Sequence, residues 1–103
     1  MAIAQTKVSN SLGSIYASSG TTAITVMFFM NDSGSDVTLS LAVVPNGGTG
    51  TISDNGIGKA VTIAAGDTYV FDTEKMVLSD TDEIQAVAST DAVVVATVSY
   101  VSL

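Results

Sequence analysis

Apolar and polar residues alternate along most of this 103-residue chain, and turn-forming residues interrupt the alternation about every ten positions. Residues 61–103 show the pattern most clearly, because each short apolar run there ends at Gly, Asp or a Ser-Thr pair. No segment has the apolar spacing of an amphipathic helix. The pattern predicts an all-β fold, a single antiparallel β-sandwich of jelly-roll or immunoglobulin-like type with about seven or eight strands.

The strongest predicted strand spans residues 21–30, which are rich in β-branched and aromatic side chains. Neighbouring residues of a strand point to opposite faces of the sheet, so only one of two adjacent phenylalanines can enter the core. Unbroken alternation from Ile24 predicts that Phe28 is the core residue. Met27 and Phe29 are then expected on the outer face of the sheet.

The N-terminal residues have mixed polarity and no clean period, so we predict an extended arm at 1–12 before a sandwich domain at 13–103. Exposed aromatic and methionine surface favours protein interfaces. We therefore expect an interface formed by the apolar residues of the arm and the outward residues of the strong strand. These interface residues are Ile3, Val8, Met27 and Phe29.

The charge balance excludes two classes of partner. The chain contains ten acidic residues against three lysines and no arginine, which gives a net charge of −7. Nucleic-acid binding requires clustered basic residues that displace counterions from phosphates, and binding to an anionic membrane surface requires a similar cluster. We expect neither a nucleic acid nor a membrane as a partner.

The residue types required for catalysis are scarce. The absence of histidine removes the usual general base, and the absence of cysteine removes thiolate chemistry, disulfides and thiolate metal sites. Asp80, Asp82 and Glu83 could offer oxygen ligands to Ca²⁺, but ordinary turn chemistry accounts for them better. We predict a protein that is not an enzyme, with no catalytic residue, no cofactor and no metal.

Three stretches together resemble a group of small, Ser/Thr-rich β-sandwich virion proteins of tailed bacteriophages. They are SLGSIYASSGTTAITVMFFMNDSGSDVTLSLAVVP, VTIAAGDTYVF with its Ala-Gly-Asp-Thr turn, and KMVLSDTDEIQAVASTDAVVVATVSYVSL with its Val-Ser-Tyr strand. The chain departs from the group in the turn before the Asp-Glu-Ile segment. There Thr81 stands in place of a glycine, so a positive backbone φ is not expected at that position.

The resemblance implies a non-enzymatic structural component of a tailed-phage virion, with a capsid decoration (cement) protein as the first expectation. Such a protein would bind the major capsid protein or other virion proteins through its arm and one sheet face, and would form a homo-oligomer. The expected location is the virion, after synthesis in the cytoplasm of the bacterial host, because the N-terminus has no basic and apolar leader.

Two alternatives stay open at this point. One is an accessory protein of the neck, tail or baseplate. The other is a carbohydrate- or cell-surface-binding module on a phage fibre. Such modules present exposed tryptophan or tyrosine platforms, and this chain has no tryptophan and only Tyr16, Tyr69 and Tyr100.

Overall fold

The computed structural model describes residues 2–47, 50–71 and 76–103, with only the backbone for Gly47, Ser53 and Asp54. Within these residues, two antiparallel sheets pack face to face and confirm the predicted all-β sandwich. A 3₁₀ turn at Pro45–Gly47 and one α-helical turn at Ile52–Asn55 follow the fourth strand. The described residues form nine strands, which are β1 (Ala2–Val8), β2 (Gly13–Ala17), β3 (Thr22–Asn31), β4 (Val37–Val44), β5 (Gly56–Ile63), β6 (Thr68–Phe71), β7 (Met76–Leu78), β8 (Glu83–Ala88) and β9 (Val94–Ser102).

One sheet has five strands in the order β1-β9-β3-β6. The fifth strand, β7, pairs with the first residues of β3, on the same edge along which β6 pairs with its last residues. The other has four strands in the order β2-β8-β4-β5. The chain passes repeatedly from one sheet to the other, so that nearly every strand pair is remote in sequence. The core lies between the two sheets.

The core is formed by the inward residues of both sheets. In β9, Val94, Ala96 and Val98 are buried at successive alternate positions, as the sequence pattern predicts. Tyr100 continues the same face and packs partly buried against the core. The largest fully buried apolar side chains are Phe29, Met27, Leu39, Leu41, Ile63 and Ile84.

A β-bulge in β3 overturns the predicted facing of Met27 and Phe29. Along the β3–β9 ladder, Ile24 pairs with Tyr100 but Val26 pairs with Ser99, so that Thr25 is an extra residue. One inserted residue moves every following side chain to the opposite face. Met27 and Phe29 are therefore in the core, where neither has any exposed surface.

The N-terminal arm predicted at residues 1–12 is also corrected by the structure. Ala2–Val8 forms β1, an edge strand of the five-stranded sheet whose seven residues pair in unbroken register with β9. The apolar period is weak there because small or polar residues, such as Ala4 and Thr6, occupy the inward positions beside the core. Backbone hydrogen bonds to β9 hold the strand regardless of that pattern, and Val8 is completely buried.

Asn31, at the end of β3, connects the two sheets through a buried polar side chain. Its amide nitrogen donates to the carbonyl oxygens of Ser35 at 2.8 Å and of Ile63 at 3.0 Å, with Ala64 at 3.3 Å. Its side-chain oxygen accepts a 2.7 Å hydrogen bond from the Ser33 hydroxyl. These contacts join the β3–β4 loop to the end of β5.

We predict that Asn31→Ala lowers the free energy of unfolding by about 2–4 kcal/mol, because it removes these bonds and takes the side-chain donor away from the buried bond to the Ile63 carbonyl oxygen. Urea denaturation followed by circular dichroism measures the change. Asn10→Ala, at an exposed loop position, is the matched control and should change stability by less than about 0.5 kcal/mol. Equal stability of the two variants would contradict the role given to Asn31.

Candidate functional site

The described part of the chain contains no cavity and no group of three or more histidine, cysteine or acidic side chains that could hold a metal ion. It also contains no helix with the length and apolar character that a membrane crossing requires. The surface features that remain are the loops at the two ends of the sandwich and the outer faces of the two sheets.

The side chains of Asp80 and Asp82 accept hydrogen bonds from the backbone of turns at one end of the sandwich. Asp80 accepts a 2.8 Å hydrogen bond from the Gly20 amide, and Asp82 accepts bonds from the amides of Asn46 at 3.0 Å and Ser79 at 2.9 Å. These carboxylates therefore hold three loops together at one end of the sandwich, in keeping with the turn interpretation of the sequence.

Thr81 has a positive φ, although a residue with a β-branched side chain was not expected to adopt one. It is the third residue of a β-turn closed by a 3.1 Å hydrogen bond from the Asp82 amide to the Ser79 carbonyl, and its φ is 71°. Gly66 has nearly the same φ, 76°, in the same position of the turn before β6. The Thr81 amide also donates to the Ser18 carbonyl at 3.0 Å, so the surrounding bonds hold threonine in a conformation that glycine adopts without strain.

The outer side of the five-stranded sheet is apolar. The bulge that turns Met27 and Phe29 inward turns Phe28 and Met30 outward, and each of these is 39% exposed. Phe28 pairs with Val70 of β6, and Ala23 pairs with Val77 of β7, so apolar side chains continue across the strands. We call this surface the outer apolar face. Its apolar members are Ile3, Ala23, Val26, Phe28, Met30, Val70, Val77, Val95 and Val101.

Charge is nearly absent from the outer apolar face. Lys7, on the edge strand β1, is the one charged side chain among the described residues that point to this side. The acidic residues whose side chains are described lie in the end loops, or on β8 of the other sheet in the case of Glu83. A mainly apolar and nearly uncharged outer face differs from the polar outer side that a solvated antiparallel sheet carries.

The four-stranded sheet provides a contrast within the same molecule. Two apolar residues on its outer side, Ala42 and Val44, are at most 2% exposed. The segment after β4 covers this end of the sheet, because its α-helical turn packs on β4 and Gly50 lies against Val44 and Gln85. The chain thus covers Ala42 and Val44 on the outer side of one sheet, whereas Phe28 and Val70 of the other remain exposed.

Of the four interface residues predicted from sequence, Ile3 alone lies on the outer apolar face, where it is 65% exposed. Val8, Met27 and Phe29 are core residues. The prediction missed Phe28, Met30, Val70 and Val77. The sequence of β3 contains apolar residues at both odd and even positions, so both of its sides are apolar. A strand with one solvated side needs only one apolar side, so this feature could have indicated an apolar outer face.

The three tyrosines face the interior. Tyr16 and Tyr100 are partly buried against the core, with ring centroids 4.7 Å apart, and Tyr69 lies 6.5 Å from Phe29. They therefore form no exposed platform on which a sugar ring could stack.

No family model, curated protein or solved structure matches this chain. The resemblance to phage virion proteins therefore stays a prediction from the sequence.

We predict that Thr81→Gly raises the free energy of unfolding by about 1 kcal/mol, since glycine relieves the positive-φ strain and the exposed threonine side chain packs against little. Thermal and urea unfolding measure the change. Thr38→Gly, at an exposed position in the middle of β4, is the control and should lower stability by about the same amount. A loss of stability in both variants would show that Thr81 is not strained.

Proposed function

We propose that this chain is a non-enzymatic structural protein that assembles through the outer apolar face, as a component of a tailed-phage virion. Capsid decoration is the role we place first. The observation that supports assembly is the outer apolar face itself, a sheet surface with exposed Phe28, Met30, Val70 and Val77 and one charged side chain among its described residues. The virion assignment comes from the sequence resemblance.

Covering this face is energetically favourable. Each square ångström of apolar surface removed from water contributes about 25 cal/mol, so an exposed aromatic and several valines provide a substantial driving force for association. In an isolated chain the same side chains stay in water, so they add nothing to the free energy of unfolding. Their retention on one continuous surface is typical of a protein that functions in contact with other subunits.

The remaining surface suits a protein displayed in many copies. Acidic residues at both ends of the sandwich give each copy the same sign of charge, and like charges keep assembled particles apart. Buried polar contacts close both ends, through Asn31 at one end and through Ser18 and Thr22 at the other. A sheet held in this way presents its outer residues in a fixed arrangement, which lowers the entropic cost of binding.

Two roles other than capsid decoration use the same surface differently. A neck, tail or baseplate accessory would assemble through the same face in a small ring, so geometry alone does not separate it from a decoration protein. A fibre module that binds sugars is disfavoured, because the tyrosines face the core and Phe28 is an isolated aromatic on the outer face.

Quantitative mass spectrometry of purified virions tests the location directly. A decoration protein is expected in hundreds of copies per particle, whereas a neck or tail accessory is expected in only a few. Absence of the chain from purified particles would contradict the proposed function altogether.

A reconstitution experiment tests the surface. Particles from a phage lacking the gene are mixed with purified protein, and the bound fraction is measured after sedimentation. Phe28→Asp should abolish incorporation because it places a charge in the outer apolar face. Ile57→Asp, at a residue of similar exposure on the edge strand β5, should bind like the natural protein. Equal incorporation of the two variants would assign the contact to another surface.

A further inference from the structure

Polar side chains on the outer apolar face form hydrogen bonds with one another. The Gln5 amide donates to the Thr97 hydroxyl at 3.0 Å, across the β1–β9 pair. The Thr25 hydroxyl lies 3.0 Å from the Ser99 hydroxyl and 3.1 Å from the Ser99 carbonyl oxygen. These internal bonds lower the cost of desolvating the four polar side chains when a partner covers the face.

The charges of the chain indicate the nature of that partner. A basic partner would be recognised by carboxylates, but the described acidic side chains lie away from the face, and Lys7 lies at its edge. Because the chain has a net charge of −7, two copies can approach closely only where both surfaces lack acidic residues. The described residues of the outer apolar face meet that condition.

The area of the face fits an interface between two copies. The strands β1, β9, β3, β6 and β7 contain 33 residues, which at about 3.4 Å per residue and about 4.8 Å between strands give roughly 540 Å². Two copies in contact would bury about 1,100 Å² in total, which is slightly more than the roughly 1,000 Å² that a specific interface needs.

The register places an aromatic anchor near the middle of the surface. Phe28 of β3 pairs with Thr97 of β9, and these two strands are the central ones of the sheet. In a twofold arrangement, a residue near the centre meets the same region of its partner. A large apolar side chain at the centre of an interface carries a large share of the binding energy.

We propose that a second copy of this chain binds the outer apolar face, so that two five-stranded sheets pack against each other around a twofold axis near Phe28 and Thr97. Face-to-face sheets lie about 10 Å apart, so the dimer is a stack of four sheets. This inference rests on the proposed function, because it names the partner at the surface through which the chain assembles.

Sedimentation velocity over a roughly hundredfold range of protein concentration measures the association. The natural chain should sediment as a dimer of twice 10.4 kDa and dissociate on dilution. Phe28→Asp should raise the dissociation constant at least about thirtyfold. Ile57→Asp should stay within about threefold of the natural protein, and circular dichroism confirms that each variant is folded.

Spin labels locate the interface without disturbing Phe28. The chain has no cysteine, so a single introduced cysteine carries the only label on each copy. Labels on Thr68→Cys, at the margin of the outer apolar face, should lie roughly 25 Å apart in the dimer. Labels on Thr38→Cys, on the outer side of the other sheet, should lie roughly 40 Å apart or more.

The outcomes separate this inference from the proposed function. A dimer with the shorter Thr68 distance supports the inference, even when the chain is absent from virions and the proposed function fails. A chain that stays monomeric at every concentration overturns the inference. If Phe28→Asp nevertheless abolishes binding to particles, the outer apolar face binds a virion protein instead of a second copy. A dimer whose Thr38 labels are the closer pair also overturns the inference.

Discussion

One extra residue in the central strand of the five-stranded sheet determines which side chains form the core and which form the surface. At the bulge, Thr25 and Val26 lie opposite Ser99, and the Thr25 hydroxyl binds the Ser99 carbonyl oxygen and hydroxyl. Before the bulge the even-numbered residues of β3 point inward, and after it the odd-numbered ones do. Phe29 therefore enters the core and Phe28 the outer apolar face.

The core depends on this change of face. Without it, the end of β3 would direct Phe28 and Met30 inward and expose Phe29 together with Asn31. The buried amide of Asn31 could then no longer reach the carbonyl oxygens of Ser35 and Ile63 that tie the two sheets together. The bulge thus couples the packing of the core to the polar contacts at one end of the sandwich.

Much of the fold follows from local pattern. The alternation in β9 and the Ala-Gly-Asp turn before β6 have the local structure that their residues favour, because their period and turn chemistry need no remote partner. A bulge leaves no such local signal. Its position depends on the pairing of β3 with β9, which lies about seventy residues away in the sequence.

The same reasoning explains the errors at the candidate site. Ile3 is exposed on the edge strand β1, where its facing does not depend on the bulge, whereas Met27 and Phe29 were assigned to the wrong face by one residue. Thr81 shows the complementary case. Its positive φ is imposed by hydrogen bonds to Ser18 and within the turn, and these tertiary contacts override a local preference.

Oxidation of two neighbouring methionines by hydrogen peroxide, followed by mass spectrometry, tests the central claim most directly. Met27 is fully buried and Met30 is 39% exposed on the outer apolar face, three residues along the same strand. In dilute protein, Met30 should oxidise much faster than Met27, and assembly should slow the oxidation of Met30 while Met27 stays protected. Faster oxidation of Met27, or an equal rate for Met30 in dilute and assembled protein, would contradict the account.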